Sequence, residues 1–201
     1  MTPCRVVVGV TGASGAGIAL RIIERLAGMK SVEIHLVLSQ SARRTVLHEE
    51  GAQAMGRMLS LASVNHAVDD IGAAIASGSF PTAGMIVAPC SMRTLAAIAT
   101  GFSDNLLTRA ADVHLKERRK LVLMTRETPL HLTHLRNMCT VTEAGAIVMP
   151  PVPAFYNRPQ SVADIVDQLA ARAIDQLGIA RAPQATIWQP PTMKAPLNDQ
   201  R

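Results

Sequence analysis

The stretch from Arg5 to Leu26 constrains this chain most. A short apolar β-branched run, Arg5–Thr11 (RVVVGVT), meets the loop GASGAG and then, from Ile18 to Leu26, the period of an α-helix. A second run, Val32–Leu38 (VEIHLVL), ends at Ser39 and leads into a helical stretch through about Glu50. Two strands joined by a helix make a βαβ unit, which is parallel and right-handed almost without exception. The alternation continues down the chain. Gly84–Ala88 reads as a third buried strand stopped by Pro89, and Ser91 caps a helix running to about Thr100. Asn105–Glu117 reads as a helix, Lys120–Met124 as a strand, His131–Glu143 as a helix, Gly145–Met149 as a strand and Val162–Leu177 as a closing helix. Between them Gly51–Ser79, rich in Ala, Met and Ser with weak periodicity, reads as a loop with one short helix near Asp70–Ala76. The pattern predicts an α/β fold: a doubly wound, mostly parallel open sheet with helices on both faces, Rossmann-like or flavodoxin-like. Residues 1–180 are expected to form a single domain, and Pro183, Pro190, Pro191 and Pro196 make 181–201 a Pro-rich C-terminal tail.

Composition narrows the function. With 48% apolar and only 17% charged residues the chain is not disordered, and a surface so poor in charge is often hidden in an oligomer. The five aromatics, Phe80, Phe102, Phe155, Tyr156 and Trp188, cannot build the stacking surface of a base-reading module. The net charge of +5 is uneven: seven Lys/Arg against three acids lie between Arg109 and Arg136. That predicts a local anion site and no nucleic-acid partner. Cys4, Cys90 and Cys139 have neither disulfide nor zinc spacing, so no metal is expected and the expected location is cytoplasmic. No apolar run is long enough for a membrane span, and because the opening residues read directly as a strand no signal sequence is expected.

Ligands of doubly wound sheets sit at the carboxyl ends of the strands. The residues just after the strands are Gly12-Ala13-Ser14-Gly15, Ser39, Cys90-Ser91-Met92-Arg93-Thr94, Arg126-Glu127 and Phe155-Tyr156. The glycine loop is not the dinucleotide GxGxxG, because its glycines fall at Gly12, Gly15 and Gly17 and Ser39 stands where an acid would hold an adenosine ribose. It is not a Walker loop either, since no Gly-Lys-Ser/Thr follows. Its amides and the Ser14 hydroxyl suit a phosphate or a heteroatom of a mononucleotide; the alternative is a plain tight turn. Ser91 and Thr94, three apart at a helix start, suit phosphate oxygens, or Ser91 is simply an N-cap. Arg109 and Lys116 project from one helical face, as part of an anion site or as a solvated face. Arg126-Glu127 is more specific, because a charged pair ending a buried strand is costly to place without a task. His131 and His134 lack a third ligand and read as a helix face. Tyr156 lies in the proline-stiffened PPVPAFY segment, aimed into a pocket or packed in the core.

Four stretches, GVTGASGAG, GMIVAPCSMRTLAAIATG, DNLLTRAADVHLKERRKLVLMTRETPLHL and GAIVMPPVPAFYNRPQS, resemble the flavin prenyltransferase family of the UbiX type, over roughly residues 5 to 180. Older usage calls such proteins aromatic-acid decarboxylases. The resemblance implies metal-independent alkylation of reduced FMN by dimethylallyl monophosphate, giving the prenylated cofactor of UbiD-type decarboxylases. Position by position it implies FMN contacts from Gly12, Ala13, Ser14, Ser39, Ser91, Met92, Arg93, Thr94 and Arg126, with Ser14 near flavin N5. It implies an allylic phosphate site of Lys116, Tyr156 and Arg172. Ser14, Glu49, Arg109, Lys116 and Glu127 become the catalytic set, with Glu127 a proton donor to the departing phosphate and Glu49 a candidate proton carrier. The family usually has Ser-Lys where this chain has Ser39-Gln40. Relatives form homo-oligomers, often dodecamers, with sites near subunit contacts, and the same is expected here.

Two other readings compete. Flavin-dependent cysteine decarboxylases share the fold type but carry Pro-Ala-Ser-Ala-Asn-Thr and Pro-x-Met-Asn-x-x-Met-Trp segments, where this chain has Pro89-Cys90-Ser91-Met92-Arg93-Thr94 and PAFYNRP; His66 would have to serve as their base. A non-catalytic FMN carrier would leave Lys116, Glu127, Tyr156 and Arg172 idle.

Overall fold

The computed structural model describes residues 4–190. Six strands, β1 (Cys4–Val10), β2 (Val32–Leu38), β3 (Val64–His66), β4 (Gly84–Cys90), β5 (Lys120–Thr125) and β6 (Ile147–Val148), form one sheet in the order β3-β2-β1-β4-β5-β6. Every pairing is parallel. This is the Rossmann order, and the winding reverses between β1 and β4. Seven α-helices are found among the described residues: α1 (Ala16–Ala27), α2 (Gln40–Glu49), α3 (Gly51–Leu61), α4 (Met92–Ala99), α5 (Leu106–Lys116), α6 (Leu132–Glu143) and α7 (Val162–Leu177).

Alternate strand residues feed two cores. Val6, Val8, Ile34, Leu36, Ile86 and Val122 meet Ile22 and Ile23 of α1, Met58 of α3 and Ile174 of α7. Val7, Val37, Met85, Val87, Leu121 and Leu123 meet Leu95 of α4, Leu106 and Ala110 of α5 and Val141 of α6. The two layers are aliphatic and methionine-filled, as a chain so poor in aromatics requires, and each large side chain buried there contributes about 1.5–3 kcal/mol. On the first face Asp167 of α7 ties down α1, accepting from Arg21 Nε and Arg25 Nη2 at 2.6 Å each.

Several expectations are corrected. Gly51–Ser79 contains the eleven-residue helix α3, the edge strand β3 and a 3-10 turn at Ala74–Ala76. Helix α3 buries only Met55 and Met58, a stripe too narrow to show in the sequence, and its place is set by packing on α1 and α2. Pro89 does not stop β4 at Ala88. A register shift between Val87 and Cys90 absorbs it, and Cys90 still pairs with Thr125. Strand β6 is confined to Ile147–Val148. The start of the expected tail is pinned to α7: Asp175 accepts from the amides of Gln184 at 2.6 Å and Ala185 at 3.1 Å. The rest of that tail, 191–201, lies outside the described residues.

Candidate active site

The loops that follow β1 and β4 are joined by Thr11, the residue after β1. Its hydroxyl donates to the Pro89 carbonyl at 2.6 Å and accepts the Ser91 amide at 2.9 Å, while its own amide donates to Pro89 at 3.3 Å. Thr11 is buried. The crevice between β1 and β4 is therefore held by one threonine, which the sequence reading passed over although it stands directly at the end of the first strand. On one side of this join the Ser39 amide donates to the Val10 carbonyl at 3.0 Å, and on the other the Arg126 amide donates to the Cys90 carbonyl at 3.0 Å. Gly12, Ser39, Ser91 and Arg126 are thereby brought along one edge.

Glu49, at the last turn of α2, reaches back to the glycine loop. Its Oε2 accepts the amides of Gly15 and Ala16 at 2.9 Å each, which satisfies the exposed N–H groups at the start of α1. Gly15 precedes that helix with φ of 113°, a conformation that glycine adopts readily. Burial by itself would push the Glu49 carboxyl up. The Ser14 hydroxyl, the two amides and the Arg126 guanidinium outweigh it and hold the carboxyl below its usual range. The site thus contains a fixed carboxylate beside Ser14. The loop amides at Gly15 and Ala16 are engaged by Glu49, so the phosphate role expected of them is not what the structure displays.

Helix α2 lies against the loop through a polar stripe. Ser41, Arg44, Thr45, His48 and Glu49, spaced along one helical face, line a cavity of about 570 Å³ together with Gly12 and Ser14. A Cβ at Gly12 would collide with that of Ser41, and Thr45 Oγ1 donates to the Gly12 carbonyl at 3.1 Å. Glycine at 12 is what lets α2 come this close. The stripe was legible only as spacing, since polar residues on a helix read first as a solvated face.

The other expected residues divide. Ser91 caps α4, accepting the Thr94 amide at 3.3 Å and donating to Thr94 Oγ1 at 3.1 Å, so its capping role is realised. Met92 is half-buried, and Arg93 points outward to Asp104 at 2.6 Å. Ala13 is half-buried in the loop, and Glu127 accepts the Thr128 amide at 3.1 Å just past β5. Tyr156 is 56% exposed in a 3-10 turn, Phe155–Asn157, beyond β6. Arg109 donates to the Ala76 carbonyl at 3.3 Å and pairs with Asp112 at 2.7 Å. Lys116 pairs with Glu117, and both lie against Gly78, on the approach to β4 and β5. That is the amino edge of the sheet, separated from the glycine loop by roughly the 20 Å length of a six- or seven-residue strand. Arg172 lies in the second half of α7, 3.8 Å from Asp175, and this helix ends at Leu177 against Gly84, where β4 begins.

The cationic run between Arg109 and Arg136 is therefore not one site within a chain: β5 carries Lys120 and Arg126 to opposite edges. Among the described residues no group of three or more His, Cys, Asp or Glu is placed to hold a metal, and no helix is long and apolar enough to cross a membrane. The three cysteines are free, and burial pushes the Cys90 thiol up to about 12. His66 lies on the edge strand β3 with its Nε2 2.9 Å from His35 Nδ1, away from the cavity at Gly12 and Ser14.

Comparison with known proteins gives this geometry a family. The Flavoprotein family model matches residues 1–174. The flavin prenyltransferase UbiX of Thauera aromatica is 54% identical over 175 residues, 87% of this chain and 89% of that protein. Its counterpart from Neisseria meningitidis serogroup B is 52% identical over 185 residues, 92% of this chain and 96% of that protein. Among solved structures, AnUbiX in complex with FMN and dimethylallyl pyrophosphate superposes with a TM-score of 0.87 at 45% identity, covering 94% of this chain and 98% of that one. A dodecameric FMN-dependent UbiX-like decarboxylase from Escherichia coli also gives 0.87, at 47% identity, covering 92% and 100%. The FMN-dependent cysteine decarboxylase TvaF, at 16% identity and a TM-score of 0.62, shares the fold alone. With its glycine loop, its Thr11 join and its fixed Glu49 in place, the chain belongs to the UbiX-type flavin prenyltransferase family.

Proposed function

We propose that this protein transfers the dimethylallyl group of dimethylallyl monophosphate to reduced FMN, producing the prenylated flavin that a UbiD-type decarboxylase takes up. The observation that carries this reading is the similarity, over 94% of the chain, to a UbiX structure holding both FMN and a prenyl donor. The carboxyl edge fits a flavin mononucleotide. Its cavity has the volume of a small-ligand site, the bare Gly12 backbone and the Ser14 hydroxyl line it, and Arg126 stands beside it. Gly12, Ala13, Ser14, Ser39, Ser91, Met92, Arg93, Thr94 and Arg126 are the residues assigned to hold it.

Reduced flavin, when bound, supplies the electron-rich atoms that take the prenyl carbons. The protein's part is positioning and charge. Cleavage of an allylic C–O bond sets free a phosphate anion, for which Lys116, Arg172 and the Tyr156 hydroxyl are the assigned partners. Glu127 is assigned the proton that this phosphate acquires, with Arg109 close to the same anion. Glu49, held ionised beside Ser14, is suited to receive the proton that ring closure releases. Because Lys116 and Arg172 lie away from the glycine loop within one chain, the complete site requires a neighbouring copy, and a homo-oligomer of dodecameric type is proposed, in the cytoplasm. Incubating the pure protein anaerobically with reduced FMN and either dimethylallyl monophosphate or the diphosphate tests the reading. A flavin heavier by one five-carbon unit supports it; unaltered FMN with both donors overturns it in favour of a carrier.

A further inference from the structure

We infer that Arg44 is the counter-charge for the 5′-phosphate of the flavin mononucleotide, an assignment that rests on the proposed function and deepens it. Three observations converge. The loop amides of Gly15 and Ala16 accept no further anion while Glu49 holds them. Their carboxylate also adds a negative charge to the cavity, so a phosphate there needs a cation of its own. Arg44 is the one permanently charged cation that lines the cavity, on the α2 stripe between Ser41 and His48. Among the described residues it makes no ion pair, unlike Arg93 with Asp104, Arg109 with Asp112 or Lys116 with Glu117. A guanidinium that no described residue pairs, on a stripe that also carries the Ser41 and Thr45 hydroxyls, is suited to a bidentate grip on phosphate oxygens. Ser41 and Thr45, adjacent on the same stripe, are placed to add neutral hydrogen bonds.

The test compares FMN with riboflavin, which lacks the phosphate, by flavin-fluorescence titration of the full-length protein. Arg44→Gln is expected to weaken FMN binding about tenfold while leaving riboflavin unchanged, so that the preference for FMN shrinks by that factor. Arg44→Lys retains part of the preference. Adding Gln40→Lys to Arg44→Gln restores part of it, since Gln40 stands one turn earlier on the same face. Unchanged thermal melting of Arg44→Gln shows that the fold is intact. The inference is overturned if FMN and riboflavin weaken together, if neither changes, or if only the KM of the prenyl donor rises. Wild type binding neither flavin overturns the proposed function itself.

Discussion

Replacing Thr11 by valine keeps the side-chain shape and removes one hydroxyl at the crevice between β1 and β4. Two hydrogen bonds vanish, to the Pro89 carbonyl at 2.6 Å and from the Ser91 amide at 2.9 Å. At about 1 kcal/mol each they amount to roughly 2 kcal/mol, and the Ser91 amide, now without its acceptor, adds about 1 kcal/mol. The Pro89 carbonyl keeps the Thr11 amide and incurs no comparable loss. The new methyl returns about 0.8 kcal/mol of apolar burial. The net cost is about 2 kcal/mol, or about 4–8 °C in Tm for a chain of this size. Thr11→Ser is the control, because it preserves both bonds and loses only a methyl. Urea denaturation followed by circular dichroism, at fixed protein concentration so that assembly does not shift the midpoint, measures both variants. Thr11→Val should fall below Thr11→Ser in stability and bind FMN more weakly, since the Ser91 segment is released. Equal stability of the two variants would refute the assignment of Thr11 as the join.

Glu49→Gln should still bind FMN but fail to close the new ring, and unchanged turnover sinks the proton-carrier role. The Glu49 carboxyl is depressed in the folded chain, so its contribution to stability is present above the ordinary carboxylate pKa and is lost as pH falls through the depressed value. Melting curves of the glutamine variant should accordingly lose part of the wild-type decline on acidification. Gly12→Ala drives a methyl into Ser41 and should weaken FMN binding at least about tenfold, and Ser41→Gly added to it should recover part of the loss; no recovery refutes the close approach of α2 as the cause. Lys116→Ala and Glu127→Gln should each be inactive, yet coexpressed chains of the two kinds should regain roughly a quarter of the sites if neighbouring copies complete each other. Absence of complementation contradicts the shared site.

The alternation of strands and helices was legible because buried parallel strands are continuous apolar runs, such as Val32–Leu38, set off by caps such as Ser39 and Ser91. Helix α3 was not, because its buried residues are two methionines and its stability comes from contact with its neighbours. The strand ends pointed to candidate residues that the fold brings along one edge, and they could not show how that edge is joined. Thr11 looked like the last residue of a strand, and nothing in the sequence says that its hydroxyl bridges to residues 89 and 91. Ser41, Arg44, Thr45 and His48 escaped for the opposite reason: a polar helical face carries no sequence mark that separates water from a cavity wall. The cationic run misled because proximity along the chain was read as proximity in space, whereas β5 lies between Lys116 and Arg126.

Mass analysis of the flavin released after a single anaerobic incubation with reduced FMN and dimethylallyl monophosphate tests the central claim most directly. The predicted product is FMN heavier by one five-carbon unit, formed without added metal. Recovery of FMN at its original mass from protein shown to bind both ligands would contradict it.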